Sequence, residues 1–372
     1  MTLEESGYIR VSGGLISEHF VSLMRSDLSG LDFAAPSTFI IPWKIDEPAP
    51  DTEKFNSQIS LKWEELKNRW DTYGLKLGKM PSEDARNFWV RPLLEALGFE
   101  PVYTPKQIEI GSELKFRFSH RGWHPLPGSH MPPVIHIIDP SQDLDVRPER
   151  GVPSAHDALQ AYLNVSDEQW GLVTNGKFLR LLRDFHHTSM KGYVEFDLEA
   201  IFLNRSFADF RALYRFAHAS RFIPIPSKEP GQKGELYLEA YFRHSQKVGE
   251  TIGGKLRDNV VHAIEALGNG FLNPELLSIL KENDSATHQY YEEILKIIYR
   301  IIFLLYAEQR GILGGSDVPG HDIYLEDYSI TMLREISLTH EDQRDDRYTD
   351  LWDGLQVTFA MVKKGAPALG IS

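Results

Sequence analysis

The 372-residue chain contains no cysteine, which excludes disulfides and thiolate metal sites. It has no long apolar run either. Its most apolar stretch, Ile297 to Ala307, is interrupted by Arg300 and falls well short of the roughly 20 residues a membrane-spanning helix needs. Met1 to Arg10 carries Glu4 and Glu5 and lacks the apolar centre of a secretory signal. These absences predict a cytoplasmic chain with no membrane partner. A basic excess is missing too. The net charge is −13, and carboxylates outnumber Lys and Arg in residues 1–80, 81–205 and 206–372 alike. Nucleic-acid-binding domains commonly show the opposite balance. One stretch departs from this: residues 205–260 hold 10 Lys/Arg against 6 Asp/Glu. There is no internal repeat and no low-complexity segment.

What is present is globular. Hydrophobic residues make up 42%, enough for buried cores, and the length predicts two or three domains. Residues 1–80 read as irregular and helical, with prolines at 36, 42, 48 and 50. A helix is expected from about Ser57, where Ile59, Trp63, Leu66 and Trp70 share one face. Ser82 reads as the cap of a second helix whose face is Val90, Leu93, Leu94 and Leu97, with Pro92 requiring a kink or a break. From there the texture becomes α/β through residue 205. Ile108–Ile110 and Phe116–Phe118 alternate as strands do, and Val134–Ile138 reads as a buried strand. Ser154 caps a helix running to Asn164. Trp170–Thr174 and Phe178–Leu182 flank Asn175-Gly176, the strongest hairpin signal in the chain. Tyr193–Leu198 is a further strand. Residues 206–372 are helical in pattern, and Tyr290–Leu313, with Gly311 near a C-terminal cap, reads as the longest helix.

Few constellations are able to carry chemistry. Gly249 to Lys255 has the glycine and lysine spacing of a phosphate-binding loop, but Leu256 stands where Ser or Thr should hold magnesium. A glycine break between two helices is the preferred reading. His120, His124, His130, His136 and Asp139 are close in sequence, yet no pair has zinc-site spacing on one helix face. A metal-dependent nuclease needs carboxylates around Mg²⁺ and a lysine beside the attacking water. The buried strand Val134–Ile138 runs into Asp139, Asp143 and Asp145, the candidate carboxylates, without a Glu-x-Lys. Glu113-Leu114-Lys115 spells that triplet one element too early. No serine stands in a glycine-flanked strand-to-helix turn of the kind a Ser/His/Asp hydrolase requires.

Four segments together resemble the N-terminal region of single-chain restriction–modification adenine DNA methyltransferases, most of all the methylase of DISARM-type phage-defence systems. They are Arg86–Phe99, then Leu159–Asn164 with Trp170–Gly176 and Leu179–Asp184, then Tyr193–Glu199, and lastly Tyr290–Gly311. The resemblance covers nearly the whole chain. It implies a small, degenerate restriction-endonuclease-like α/β domain over 81–205. A helical linker and DNA-contact domain over 206–372 follows, ahead of a methylase domain. It also implies duplex DNA as a partner, with the methylase in cis or in trans and other defence subunits. S-adenosylmethionine is implied for the methylase alone, because this chain carries neither a glycine-rich cofactor loop nor an Asn/Asp-Pro-Pro-Tyr/Phe loop. Mg²⁺ is implied only for an active nuclease. The basic stretch supplies the expected DNA contacts: Arg205, Arg211, Arg215, Arg221, Arg243, Lys247, Lys255 and Arg257, with Lys228 and Lys233. Arg211 and Arg215 share a helix face by spacing. Two other readings stay open, an active Mg²⁺-dependent nuclease and a protein-interaction scaffold without DNA contact.

Overall fold

The computed structural model describes residues 7–26, 30–41, 43, 48–111, 114–125, 130–184, 191–226, 234–309, 311–313, 320–339 and 349–371, apart from the side chains of 250–253 and 255. It divides into two compact units, Glu4–Glu250 and Thr251–Ser372. The first is α/β and the second helical.

The α/β unit opens with strand β1 (Ile9–Ser12) and helix α1 (Glu18–Arg25), capped by Ser17 Oγ accepting from Phe20 N–H. Helix α2 (Thr52–Tyr73) begins earlier than the periodicity predicts, because Asp51 caps it by accepting from Lys54 N–H at 2.8 Å. Its buried face is the expected one: Ile59, Trp63, Leu66 and Trp70, now joined by Phe55. The Pro92 problem is solved by a π-turn. Helix α3 (Ser82–Ala85) widens over Arg86–Val90, where Arg91 N–H reaches back to Arg86 O, and α4 (Arg91–Ala96) resumes with Pro92 in its first turn. The wide turn takes up a proline that has no N–H to give.

Strands β2 (Val102–Tyr103), β3 (Ile108–Ile110), β4 (Leu114–Phe116), β5 (His120–Arg121) and β6 (Val134–Ile137) follow. β3 and β4 form a separate hairpin in which Glu109 faces Lys115, so the second alternating segment pairs over 114–116 and not over 116–118. Helix α5 (Ala155–Leu163), capped by Ser154, crosses from β6 to the parallel strand β7 (Trp170–Thr174). β8 (Phe178–Arg183) returns antiparallel, then β9 (Tyr193–Asp197). The turn between β7 and β8 is the expected one. Gly176 has φ +83°, Asn175 Oδ1 accepts from Lys177 and Phe178 N–H, and Trp89 Nε1 donates to Gly176 O at 2.7 Å. Helices α6 (Leu198–Leu203) and α7 (Phe207–Ala217) complete the wrapping.

The seven-stranded sheet runs β1-β9-β8-β7-β6-β5-β2 and is antiparallel except at β6–β7. Period-two alternation gives it two faces. Ile135, Leu172, Leu179, Leu181, Val194 and Phe196 enter the larger core with α2, α4, α6 and α7. Val134, Val173 and Leu182 pack under α5 with Leu159, Tyr162 and Leu163. Gly171 lets α5 settle, since a Cβ there would stand 3.1 Å from Leu159. The unit thus takes in the described residues from 7 to 80 and α7, which the sequence assigns to flanking domains.

Helix α8 (Tyr237–Gly270) runs without interruption through Gly249, Gly253 and Gly254. The expected glycine break is absent, and so is a phosphate-binding loop. Each glycine costs about 1 kcal/mol against alanine in a helix but does not forbid it. With 34 residues α8 also exceeds α10 (Asp284–Gln309, 26 residues). In the helical unit, α9 (Pro274–Glu282) is capped by Asn273 Oδ1. A short α11 (His321–Ile323), a π-turn over Tyr324–Tyr328, α12 (Ile330–Thr339) and α13 (Asp350–Lys364) follow α10. α10 ends as expected, with Gly311 at φ +63° and Ile312 N–H donating to Ala307 O. Glu308 accepts from Tyr324 Oη, Ile330 N–H and Thr331 N–H, which anchors the start of α12.

Candidate functional site

The α5 face of the sheet carries a layer of buried, paired charge. Arg180 on β8 lies opposite Glu195 on β9, and Glu195 opposite Arg10 on β1. Arg180 Nε donates to Glu195 Oε2 at 2.6 Å, and its Nη1 and Nη2 donate to both oxygens of Asp145 at 3.0 and 2.7 Å. Arg180 is 4% exposed and stacks over Tyr193, 4.1 Å from the ring centroid. Lys191 Nζ bridges Asp145 at 2.8 Å and Asp157 at 3.1 Å. The two cations hold the Asp145 carboxyl far below the usual carboxylate range. His156 Nδ1 lies 3.1 Å from Arg180 Nη1 and must accept, because a guanidinium only donates. Burial first, then Arg180 and Lys191, push its pKa from 6.5 down to about 4, so the ring is neutral at pH 7.

The three sequence-predicted aspartates are not arranged as metal ligands. Asp145 is the counter-ion of Arg180 and Lys191. Asp139 accepts from Ser82 Oγ and from Ser141 N–H and Oγ, which lowers its pKa as well. Asp143 Oδ1 accepts from Asp145 N–H at 2.7 Å and shapes its own turn. Among the described residues no group of three His, Asp or Glu is placed to hold a metal ion. Of the Glu-Leu-Lys triplet, Glu113 lies outside the described residues and Lys115 pairs with Glu109 at 3.2 Å. The donor set therefore does not fit Mg²⁺. Two members of the sequence histidine group, His120 and His136, are also held neutral by burial, with pKa values lowered to about 4.

A second buried network escaped the sequence reading. Arg121 on β5 donates to both oxygens of Glu168, at 2.6 and 2.7 Å, to Pro132 O at 2.8 Å and to Tyr162 Oη at 3.1 Å, while Tyr162 donates to Glu168. It ties β5 to α5. Nothing in the local sequence signals these contacts, because the partners are 41 and 47 residues from Arg121.

The expected basic surface needs correction. Arg215 and Arg221 are buried, at 3% and 0% exposure. Arg215 donates to Met24 O and Ser26 O. Arg221 donates to Phe33 O, Thr38 O and Tyr241 Oη, and its guanidinium sits 3.8 Å from the Phe39 ring centroid. Both hold loops to the core, so Arg211 and Arg215 do not form an exposed pair. Arg211, half-buried, lies over Phe207. Arg205, Arg243 and Arg257 are exposed beside Asp71, Glu235 and Asp258. Lys247 is exposed too. Lys228 and Lys233, and the side chain of Lys255, lie outside the described residues.

Beside the ion-pair network, the first turn of α5, strand β4 and the loop after β6 enclose a cleft of about 780 Å³. Phe116, Phe118, Ile138 and Val152 line it, as do Arg117, Arg147 and His136. Compared with family models, with curated proteins and with solved structures, the chain matches none.

Proposed function

We propose that this chain is the nuclease-like and helical region of an adenine-N6 DNA methyltransferase of the restriction–modification or phage-defence kind, and that it positions DNA and partner subunits without cutting. The observation that carries the non-cleaving part is the neutralised carboxylate: both oxygens of Asp145 are bound by Arg180, and Lys191 adds a second cation. A carboxylate so held has no free charge to bind Mg²⁺ and generate hydroxide. The methyl-transfer chemistry, with S-adenosylmethionine, belongs to a methylase domain in cis or in trans, and the enzyme acts in the cytoplasm.

DNA contact in this reading falls to Arg205, Arg243 and Arg257, whose side chains are 48%, 65% and 80% exposed. Each has a carboxylate neighbour that a DNA phosphate would displace, so binding is weak and salt-sensitive. The test is duplex binding by the purified chain at low and moderate salt. Weak binding that salt removes, and that Arg205→Glu/Arg243→Glu/Arg257→Glu abolishes, supports the reading. No binding at low salt refutes DNA contact. A second reading, a protein-interaction scaffold, is favoured by the aromatic face of α10, where Tyr299, Phe303 and Tyr306 are exposed.

A further inference from the structure

The cleft beside α5 has features that neither the ion-pair network nor the proposed DNA contacts use. Its volume, about 780 Å³, lies within the range of small-molecule sites, roughly 300–1,000 Å³. Its floor is apolar and partly aromatic, formed by Phe116, Phe118 and Ile138. Phe116 and Phe118 lie nearly parallel, with an interplanar angle of 8°. His136 meets Phe118 edge-on and also lines the cleft, and its Nδ1 has no hydrogen-bond partner. The half-buried ring thus brings one unsatisfied polar group to the wall of the cleft. At the mouth stand Arg117 and Arg147, both exposed and both without a hydrogen-bond or ion-pair partner among the described residues. The one carboxylate lining the cleft, Asp143, is turned to the Asp145 amide.

Two unpaired guanidinium groups at the mouth of an apolar pocket are a local inversion of the charge of a −13 chain. We propose that this cleft binds a mononucleotide, with the base on the Phe116–Phe118 floor beside His136 and the phosphate at Arg117 and Arg147. A guanidinium matches phosphate oxygens two at a time. The lining offers aromatic surface and one unsatisfied polar group, which suit a heterocyclic base. A purely apolar ligand would leave both arginines unused, and inorganic phosphate would leave the floor empty. The inference does not depend on the proposed function, since Arg205, Arg243 and Arg257 take no part in it.

The experiment is calorimetric titration of the full chain with the four deoxynucleoside 5′-monophosphates, with inorganic phosphate and with the nucleosides. At least one monophosphate is expected to bind about tenfold or more tightly than its nucleoside and than phosphate. Arg117→Ala/Arg147→Ala is expected to lower that affinity at least about tenfold. Val152→Trp, at an exposed position of the rim, is expected to abolish binding by filling the cleft. The thermal midpoint should stay unchanged in both variants, because all three residues are exposed. The proposal is overturned if none of the four binds or if phosphate alone binds as well. It is equally overturned if a short single-stranded oligonucleotide binds where the monomers do not, or if the double alanine variant keeps wild-type affinity.

Discussion

Replacing Arg180 by methionine probes the charged layer under α5 most directly. The substitution keeps an unbranched apolar stem over Tyr193 and removes the guanidinium. Asp145 keeps Lys191, so its loss is small. Glu195 is the costly partner: it is 4% exposed, loses a 2.6 Å charge-assisted bond, and keeps only the 72% exposed Arg10 at 3.4 Å. Removing one partner of a buried ion pair costs about 3–5 kcal/mol. Whole domains have about 5–15 kcal/mol of stability, so this is a large share. The assay is urea denaturation followed by tryptophan fluorescence, which reports chiefly the α/β unit because Trp352 is the sole tryptophan beyond residue 250. An internal control sharpens it: Arg180→Met/Glu195→Gln should be more stable than Arg180→Met, since it removes the stranded charge. A loss below about 1 kcal/mol, or a double variant no more stable than the single, would refute the account of Arg180 as the counter-charge of a buried Glu195.

Other expectations follow from the same geometry. His120, His136 and His156 fold neutral with pKa values near 4 against 6.5, so the unfolded chain binds protons first. Stability is therefore full above about pH 6.5 and falls as pH drops toward 4, and a urea midpoint that rises on acidification across that window contradicts it. Gly176→Ala should cost about 1–2 kcal/mol, from φ +83° and a Cβ 3.1 Å from Val90, and calorimetry reads it directly. A supercoiled plasmid should survive the purified chain in Mg²⁺ or Mn²⁺; cutting that Asp145→Ala abolishes means the carboxylate is catalytic. Labelled S-adenosylmethionine should transfer no methyl group to adenine in the presence of this chain alone, and transfer would place methylase chemistry within these residues.

Much of the architecture is legible in the sequence. The apolar period of α2, the Asn175-Gly176 turn, the capped α5 and the Gly311 terminus are local signals, set by side chains within a few residues of one another. The candidate site was much less legible. Asp139, Asp143 and Asp145 were visible as an acidic cluster. That Asp145 is neutralised depends on Arg180, 35 residues away, and Lys191, 46 residues away. The basic stretch misled for the same reason. Arg215 and Arg221 look like surface charge in a one-dimensional count, and their carbonyl partners lie 183 to 191 residues earlier.

By itself, then, the sequence determined the capped start of α5, the Asn175-Gly176 turn and the buried faces of α2 and α4, because backbone sterics and side-chain periodicity act over one or two turns; it did not determine the start of α2, the continuity of α8 or the cap of α3, which is Pro81 and not Ser82. It also determined that no thiol chemistry occurs here. Only the tertiary structure decided which charges face water and which face one another. Strand register set Arg180 against Glu195, and the packing of α5 brought Asp145 and His156 onto the same guanidinium. Burial converts an arginine from a potential phosphate contact into a structural tie, since a desolvated guanidinium must satisfy its donors within the fold. That condition is met only when distant segments come together.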